Sequence, residues 1–94
     1  MSDLASTYAL ITGATSGIGK ATAYKFAENK VNLILCARRQ ERLEEIANDI
    51  TSHFGVKVLI HVTDVRNKQE VEAFHVFVQS KNIVPSVLVN NAGL

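Results

Sequence analysis

Residues 12–19 read TGATSGIG, with three glycines in eight positions. The short apolar run Tyr8–Ile11 precedes them and is typical of a buried strand, and the segment Ile18–Lys30 that follows is predicted to be a helix. A glycine-rich turn between a strand and a helix lets the backbone approach a pyrophosphate closely, and the amides and dipole of the helix N-terminus then bind the anion. The pattern therefore predicts a dinucleotide-binding loop.

The glycine spacing is G-x-x-x-G-x-G, which differs both from G-x-G-x-x-G and from the nucleotide triphosphatase loop G-x-x-x-x-G-K-[ST]. The tripeptide Gly19-Lys20-Ala21 superficially matches the end of the triphosphatase loop, but Ala21 has no hydroxyl for magnesium. The simpler interpretation is that the glycines only turn the chain. This interpretation is disfavoured because the three glycines occur together with hydroxyl residues between a strand and a helix.

Apolar runs and amphipathic segments alternate along the rest of the chain. Further strands are predicted at Val31–Cys36, Val56–Val62 and Val87–Val89, and further helices at Arg38–Phe54 and Lys68–Ser80. The order β-α-β-α-β-α-β indicates an α/β fold, the N-terminal half of a Rossmann-type doubly wound parallel sheet with strand order 3-2-1-4. The first two helices should cover one face and the third the other, which leaves that second face thinly covered and the fourth strand as an open edge.

Each predicted helix has an apolar side. In the first helix, Ile18, Thr22 and Phe26 repeat at four with alanines alongside. The apolar positions expected in the two later helices are Leu43, Ile46, Ala47, Ile50 and Phe54, and then Val71, Phe74, His75 and Val78. Gly55 follows the second helix where a C-terminal cap is expected.

Length and composition exclude several classes of protein. Ninety-four residues make at most one domain, and a net charge of +1 gives no reason to expect a nucleic-acid or membrane partner. The lone Cys36 and three separated histidines predict neither a disulfide framework nor a metal site. No apolar run approaches the roughly 18–20 residues of a membrane span, and the polar start Met1–Thr7 does not resemble a signal peptide. We therefore expect a cytoplasmic location.

The end of the second strand predicts which dinucleotide binds. It reads Cys36-Ala37-Arg38-Arg39 and holds no carboxylate that could accept a hydrogen bond from the ribose 2′-hydroxyl of NAD. Two guanidiniums would pair strongly with a 2′-phosphate, which favours NADP (NADPH) as cofactor. In the alternative interpretation, both arginines are solvated residues that open the next helix.

Polar residues also follow the third and fourth strands. Asp64 is expected either to accept a hydrogen bond from the adenine amino group or to cap the next helix, and the two roles are compatible. Asn90 and Asn91 come at the end of the fourth strand, where their amides could tie neighbouring strand ends together, and Gly93 would let the cofactor approach.

These pieces occur in the order TGATSGIG, ARRQERLEEIA, Asp64-Val65 and VLVNNAG, and together they resemble a short-chain dehydrogenase/reductase. The glycine spacing is similar to that of the core branch of the family. The residues around Arg38–Leu43, Asp64–Asn67 and Val89–Leu94 are similar to those of NADP-dependent 3-hydroxy acid (serine 3-) dehydrogenases.

The resemblance implies an oxidoreductase that transfers hydride between NADP(H) and a carbonyl or alcohol substrate, in proteins that form homodimers or homotetramers. It implies that Gly13–Ile18 hold the pyrophosphate and adjoining ribose, that Arg38 and Arg39 bind the 2′-phosphate, that Asp64 and Val65 flank adenine, and that Asn91 contacts the nicotinamide-side ribose. The full predicted cofactor set is Thr12, Gly13, Ala14, Thr15, Ser16, Gly17, Ile18, Gly19, Arg38, Arg39, Asp64, Val65, Asn91, Ala92 and Gly93.

Two features depart from the family pattern. A glycine usually follows the first helix, whereas this chain has Asn29-Lys30, of which the asparagine tolerates a left-handed conformation. The family's catalytic Ser and Tyr-x-x-x-Lys are missing, because Thr12 stands four residues after Tyr8 and Glu28 four after Tyr24.

Residues 1–94 are therefore expected to form a partial NADP-binding domain without the C-terminal catalytic part, inactive alone and with no catalytic residues of its own. The alternative is a non-catalytic NADP-binding or partner-binding module that uses the open sheet edge. The histidines (His53, His61 and His75) and Cys36 are expected to be structural.

Overall fold

The computed structural model describes residues 7–90, and its sheet has the strand order inferred above. Its strands are β1 (Tyr8–Thr12), β2 (Asn32–Ala37), β3 (Val58–Val62) and β4 (Val87–Asn90), and its helices are α1 (Gly17–Glu28), α2 (Gln40–Phe54) and α3 (Lys68–Ser80). The four strands are parallel in the order β3-β2-β1-β4. The predicted half of a doubly wound sheet is confirmed, with element ends shifted by one or two residues.

The sheet is buried on both faces at its centre. All six residues of β2 are buried, which explains why its sequence is a nearly continuous apolar run. Side chains alternate along β1, so that Ala9 and Ile11 pack on one face and Leu10 on the other. The register pairs Thr12 with Cys36 and Cys36 with His61, which places the ends of these strands side by side at one edge.

The first face of the sheet is covered by α1 and α2, as predicted. The buried positions of α2 are Leu43, Ile46, Ala47 and Ile50. In α1, Phe26 packs against this core as expected, whereas Ile18, expected on the same face, is 73% exposed. The buried positions are Gly19, Ala23 and Ala27, and the two alanines were expected there. These small residues let α1 approach the sheet closely.

The two helices are also linked by a polar contact. The Tyr24 hydroxyl donates a hydrogen bond to the Asp49 carboxylate. Burial and this neighbouring carboxylate raise the pKa of Tyr24 to about 12.

Of the helices within residues 7–90, α3 packs on the second face. Phe74 and Val78 are buried against Leu10, Ile34 and Cys36, whereas Leu88 on the outer strand is 68% exposed. This confirms the thin cover predicted for that face. His75 does not lie on the apolar side of α3 but is exposed, because Phe74 and Val78 set the direction of the buried stripe. No helix within residues 7–90 has both the length and the apolar character to span a membrane.

Structural roles are found for two of the other residues considered above. His61 contacts the rings of Phe74 and Phe77, and its Nδ1 lies 2.7 Å from the Thr63 hydroxyl. Cys36 is fully buried, and this burial raises the pKa of its thiol against an opposing hydrogen bond with Thr63. Both residues therefore contribute to packing, as expected.

Helices α1 and α2 end near the amino ends of the strands, and each is followed by a residue with a left-handed backbone conformation. Gly55 ends α2 at φ 70°, with its N–H bound to the Thr51 carbonyl. After α1 the left-handed residue is Lys30, at φ 63°, and not Asn29 as the sequence suggested. Because α1 ends at Glu28, two residues earlier than predicted, the left-handed position after the cap falls on the lysine.

Candidate cofactor-binding site

The glycine loop connects β1 to α1 and is held by its own hydrogen bonds. Gly13 adopts φ 63°, a left-handed conformation that a residue with a Cβ adopts only with strain. Its carbonyl accepts hydrogen bonds from the Ser16 N–H at 3.1 Å and the Ser16 hydroxyl at 2.8 Å. Ser16 is also the N-cap of α1, and its Oγ accepts a hydrogen bond from the Gly19 N–H at 3.4 Å. Hydrogen bonds within the loop therefore define its shape.

The start of α1 is open to an anion. Ser16, Gly17 and Ile18 are exposed, and the first turn contains no acidic residue. A Cβ added at Gly17 would meet no protein atom within 4 Å, so the protein's own packing does not require a glycine there. Helix geometry leaves the first N–H groups of α1 without carbonyl partners inside the helix. This combination of open space and a helix N-terminus suits a phosphate group.

The second helix N-terminus lies at the neighbouring strand end. The Ala14 N–H donates to the Cys36 carbonyl at 3.2 Å, which ties the glycine loop to the end of β2. Arg38 and Arg39 follow directly and are both exposed. Arg39 is the N-cap of α2 and makes no side-chain capping hydrogen bond. Within residues 7–90 neither guanidinium forms an ion pair. The site thus presents two cations at an uncapped helix N-terminus, where an anion is favoured.

The end of β3 brings a carboxylate to the same edge. The Thr63 N–H donates to the Ala37 carbonyl at 2.8 Å, so Asp64 follows one strand end just as Arg38 follows the next. Arg66 binds Asp64 through both side-chain oxygens, with Nε 3.1 Å from Oδ1 and a terminal guanidinium nitrogen 3.1 Å from Oδ2. The Arg66 backbone N–H also donates to Oδ1 at 2.9 Å.

These contacts strongly favour the ionised carboxylate. Hydrogen bonds from the Arg66 side chain and backbone lower the pKa of Asp64 to about 2, and the charges of Arg66 and Arg38 act in the same direction.

Asp64 is not the N-cap of α3, which corrects one of its two expected roles. Asn67 is the cap, and its Oδ1 accepts a hydrogen bond from the Glu70 N–H at 3.2 Å. The Glu70 side chain reaches back to the Asp64 N–H, with Oε1 2.9 Å from the nitrogen. Asn67 rather than Asp64 caps α3 because it stands directly before the first helical residue.

The end of β4 completes this edge. The Thr12 hydroxyl donates to Asn90 Oδ1 at 3.1 Å, which joins β1 to β4 in the way proposed for the asparagines. Asn91, Ala92 and Gly93 lie outside the described residues. The described part of the predicted set thus gathers at the carboxyl ends of the strands, where doubly wound sheets bind ligands.

Sequence reasoning missed Arg66. The tripeptide Asp64-Val65-Arg66 carries only a weak signal for it, an acidic and a basic residue two positions apart. The hydrogen bond that the Arg66 N–H donates to the Asp64 carboxylate shows that the backbone turns here.

A four-stranded parallel sheet with a glycine loop after its first strand defines the chain as the first half of a Rossmann-type nucleotide-binding fold. The family model described as short chain dehydrogenase matches residues 7–94. The chain belongs to this family.

Several family members are closely similar in sequence. An NADP-dependent 3-hydroxy acid dehydrogenase from Schizosaccharomyces pombe is 44% identical over 86 residues, which cover 90% of this chain and 33% of that protein. Sulfoacetaldehyde reductase 2 from Chromohalobacter salexigens is 44% identical over 85 residues, with the same coverage. The chain therefore spans about a third of the length of these relatives.

Solved structures agree with this family assignment. An alcohol dehydrogenase from Thermococcus sibiricus, complexed with 5-hydroxy-NADP, is similar with a TM-score of 0.89 and 41% identity, over 94% of this chain and 37% of that one. L-Sorbose reductase from Gluconobacter frateurii, complexed with NADPH and L-sorbose, gives a TM-score of 0.88 at 41% identity, over 94% of this chain and 34% of that one.

Proposed function

We propose that this chain binds NADP(H) and forms the cofactor-binding part of an oxidoreductase that transfers hydride between NADP(H) and a carbonyl or alcohol substrate. One observation carries the proposal: two helix N-termini lie at adjoining strand ends, one with an open glycine loop and the other with two arginines free of ion pairs within residues 7–90. Family membership and the NADP-bound structural relatives support it.

The chain's own residues would bind and orient the cofactor. Gly13–Ile18 would hold the pyrophosphate through backbone N–H groups, in the space that a Cβ at Gly17 would fill. Arg38 and Arg39 would pair with the 2′-phosphate, and Asp64 and Val65 would flank adenine. Asn91 would contact the nicotinamide-side ribose. When bound, the nicotinamide supplies or accepts the hydride, and the protein determines its orientation.

The proton-transferring residues would lie elsewhere in the protein. No Tyr-x-x-x-Lys occurs in these 94 residues, so we propose that the chain alone does not turn over substrate. The alternative of a non-catalytic module that uses the open sheet edge is disfavoured by membership in a dehydrogenase family. We further propose a cytoplasmic location. The homodimer or homotetramer and the particular substrate stay predictions of the resemblance.

The proposal is tested with the double variant Arg38→Ala/Arg39→Ala in the protein at its full encoded length. Affinity for NADP should fall by about 3 kcal/mol, since each charge-assisted hydrogen bond contributes about 1.5–3 kcal/mol. Affinity for NAD, which lacks the 2′-phosphate, should hardly change. Titration calorimetry with both dinucleotides measures the two effects.

A matched control is Lys25→Ala/Lys57→Ala. It removes the same charge at the opposite edge of the sheet, from the end of α1 and from the residue before β3. This variant should bind both dinucleotides as the wild type does. Equal losses for NADP and NAD in the arginine variant would refute the 2′-phosphate role.

A further inference from the structure

Arg66 is an exposed cation beside the proposed site, and its side chain is already engaged. It makes two side-chain hydrogen bonds and one backbone hydrogen bond to the Asp64 carboxylate. Three donors on one carboxylate fix both its position and its orientation, because the fork of the guanidinium matches the two oxygens.

The second observation is the position of Arg38. Ala37 and Val62 are paired across β2 and β3, so Arg38 and Asp64 follow adjoining strand ends. The positive charge of Arg38 acts with that of Arg66 to lower the pKa of Asp64. A carboxylate within reach of Arg38 competes with any phosphate for the same guanidinium.

We propose that Arg66 is a positioning residue for cofactor selectivity: by holding the Asp64 carboxylate in a bidentate pair, it prevents that carboxylate from pairing with Arg38 and leaves Arg38 available to a 2′-phosphate. This inference rests on the proposed function. Arg66 acts through Asp64 and has no contact of its own with the cofactor. Without Arg66, the free carboxylate would turn toward Arg38, weaken binding of the 2′-phosphate and leave the 2′-hydroxyl of NADH unaffected.

The test compares Arg66→Ala, Arg66→Lys and Arg66→Ala/Asp64→Asn in the protein at its full encoded length, with NADPH and NADH as probes. The measured quantity is the ratio of the two dissociation constants from fluorescence titrations, in which effects common to both dinucleotides cancel. The preference for NADPH should fall about fivefold in Arg66→Ala, the change typical of a charge interaction at an exposed site. It should recover in part with lysine, which keeps the charge but not the bidentate geometry.

The double variant isolates the route of the effect. If Arg66 acts through Asp64, removing the carboxylate charge should restore the wild-type preference for NADPH. The fivefold change should also shrink as salt is raised from about 50 mM to about 500 mM, because the interacting charges are exposed. Lys57→Ala is the control, since it removes one positive charge at the other end of β3 and should leave the ratio unchanged.

Each contrary outcome has its own meaning. An unchanged ratio in Arg66→Ala, equal losses for both dinucleotides, or a changed ratio that persists in the double variant would overturn the role of Arg66. A wild-type protein without preference for NADPH would instead overturn the proposed function, and the inference would fall with it.

Discussion

Helices α1 and α2 pack on the same face of the sheet, yet their ends are built in opposite ways. α1 begins with the side-chain cap Ser16 and ends before the strained residue Lys30, whereas α2 begins with the uncapped Arg39 and ends at Gly55. The capped start of α1 carries exposed amides, and the uncapped start of α2 carries cations. We infer that the residues at the two helix starts serve ligand binding, whereas those at the two helix ends serve to reverse the chain. Substitutions at the starts should therefore change ligand affinity, and substitutions at the ends should change stability.

Among the four single substitutions that test this comparison, Gly17→Ala at the start of α1 should have the largest effect. Space around Gly17 is open, so alanine should raise the free energy of unfolding by about 0.5 kcal/mol through its better helix propensity. The same methyl group would occupy the place of the pyrophosphate, and affinity for NADP should fall at least about tenfold, or about 1.4 kcal/mol. Urea denaturation and calorimetry measure the two quantities. A variant that binds NADP normally would refute the assignment of this loop.

Gly55→Ala tests the end of α2. A Cβ at this residue would meet no neighbour within 4 Å, so the expected penalty comes only from the left-handed backbone at φ 70°. Unfolding free energy should fall by about 1 kcal/mol, with unchanged affinity for NADP. Urea denaturation is the measurement. A loss of NADP affinity in this variant would contradict the comparison, because it would show that the end of α2 also affects ligand binding.

Arg39→Ser should separate stability from function at the start of α2. Serine at the N-cap can accept a hydrogen bond from a first-turn N–H, which Arg39 does not, and should stabilise the protein by about 0.8 kcal/mol. Affinity for NADP should fall because one guanidinium is lost. Arg42→Ser, inside the first turn and away from the cap position, is the control for stability. If Arg39→Ser has the same free energy of unfolding as the wild type, the missing cap has no energetic consequence.

The smallest effect is expected at Lys30. Glycine there would relieve the left-handed strain, but it would also remove the hydrogen bond from Lys30 Nζ to the Phe54 carbonyl at 2.8 Å. Lys30→Gly should therefore stabilise the protein by only about 0.5 kcal/mol. Lys30→Ala loses the same hydrogen bond and keeps the strain, so it should be less stable than the wild type. If both variants unfold alike, the strain at Lys30 is negligible.

Much of the fold and site could be predicted because it depends on local pattern. Continuous apolar runs mark strands buried on both faces, and a glycine-rich turn between strand and helix marks the loop. The residues that α1 buries could not all be predicted, because its apolar pattern is weak. Ile18 and Ala23 both fit a helical repeat, and only the approach of α1 to the sheet buried the alanine and exposed the isoleucine.

The position of helix ends was equally beyond local pattern. The difference of two residues at the end of α1 moved the left-handed conformation from Asn29 to Lys30. Similarly, Asp64 and Asn67 are both good caps, and the residue at which α3 begins decided between them. Helix ends differ by small free energies that neighbouring packing easily outweighs.

By itself the sequence determined the order of strands and helices, the glycine loop and the two arginines that favour NADP, because these depend on residue type and spacing. Only the tertiary structure decided that Arg38, Asp64 and Arg66 interact at one edge of the sheet. The reason is physical: parallel pairing brings the ends of β2 and β3, Ala37 and Val62, together across 24 intervening residues. The electrostatic balance among three charged side chains depends on distances that no local sequence pattern contains.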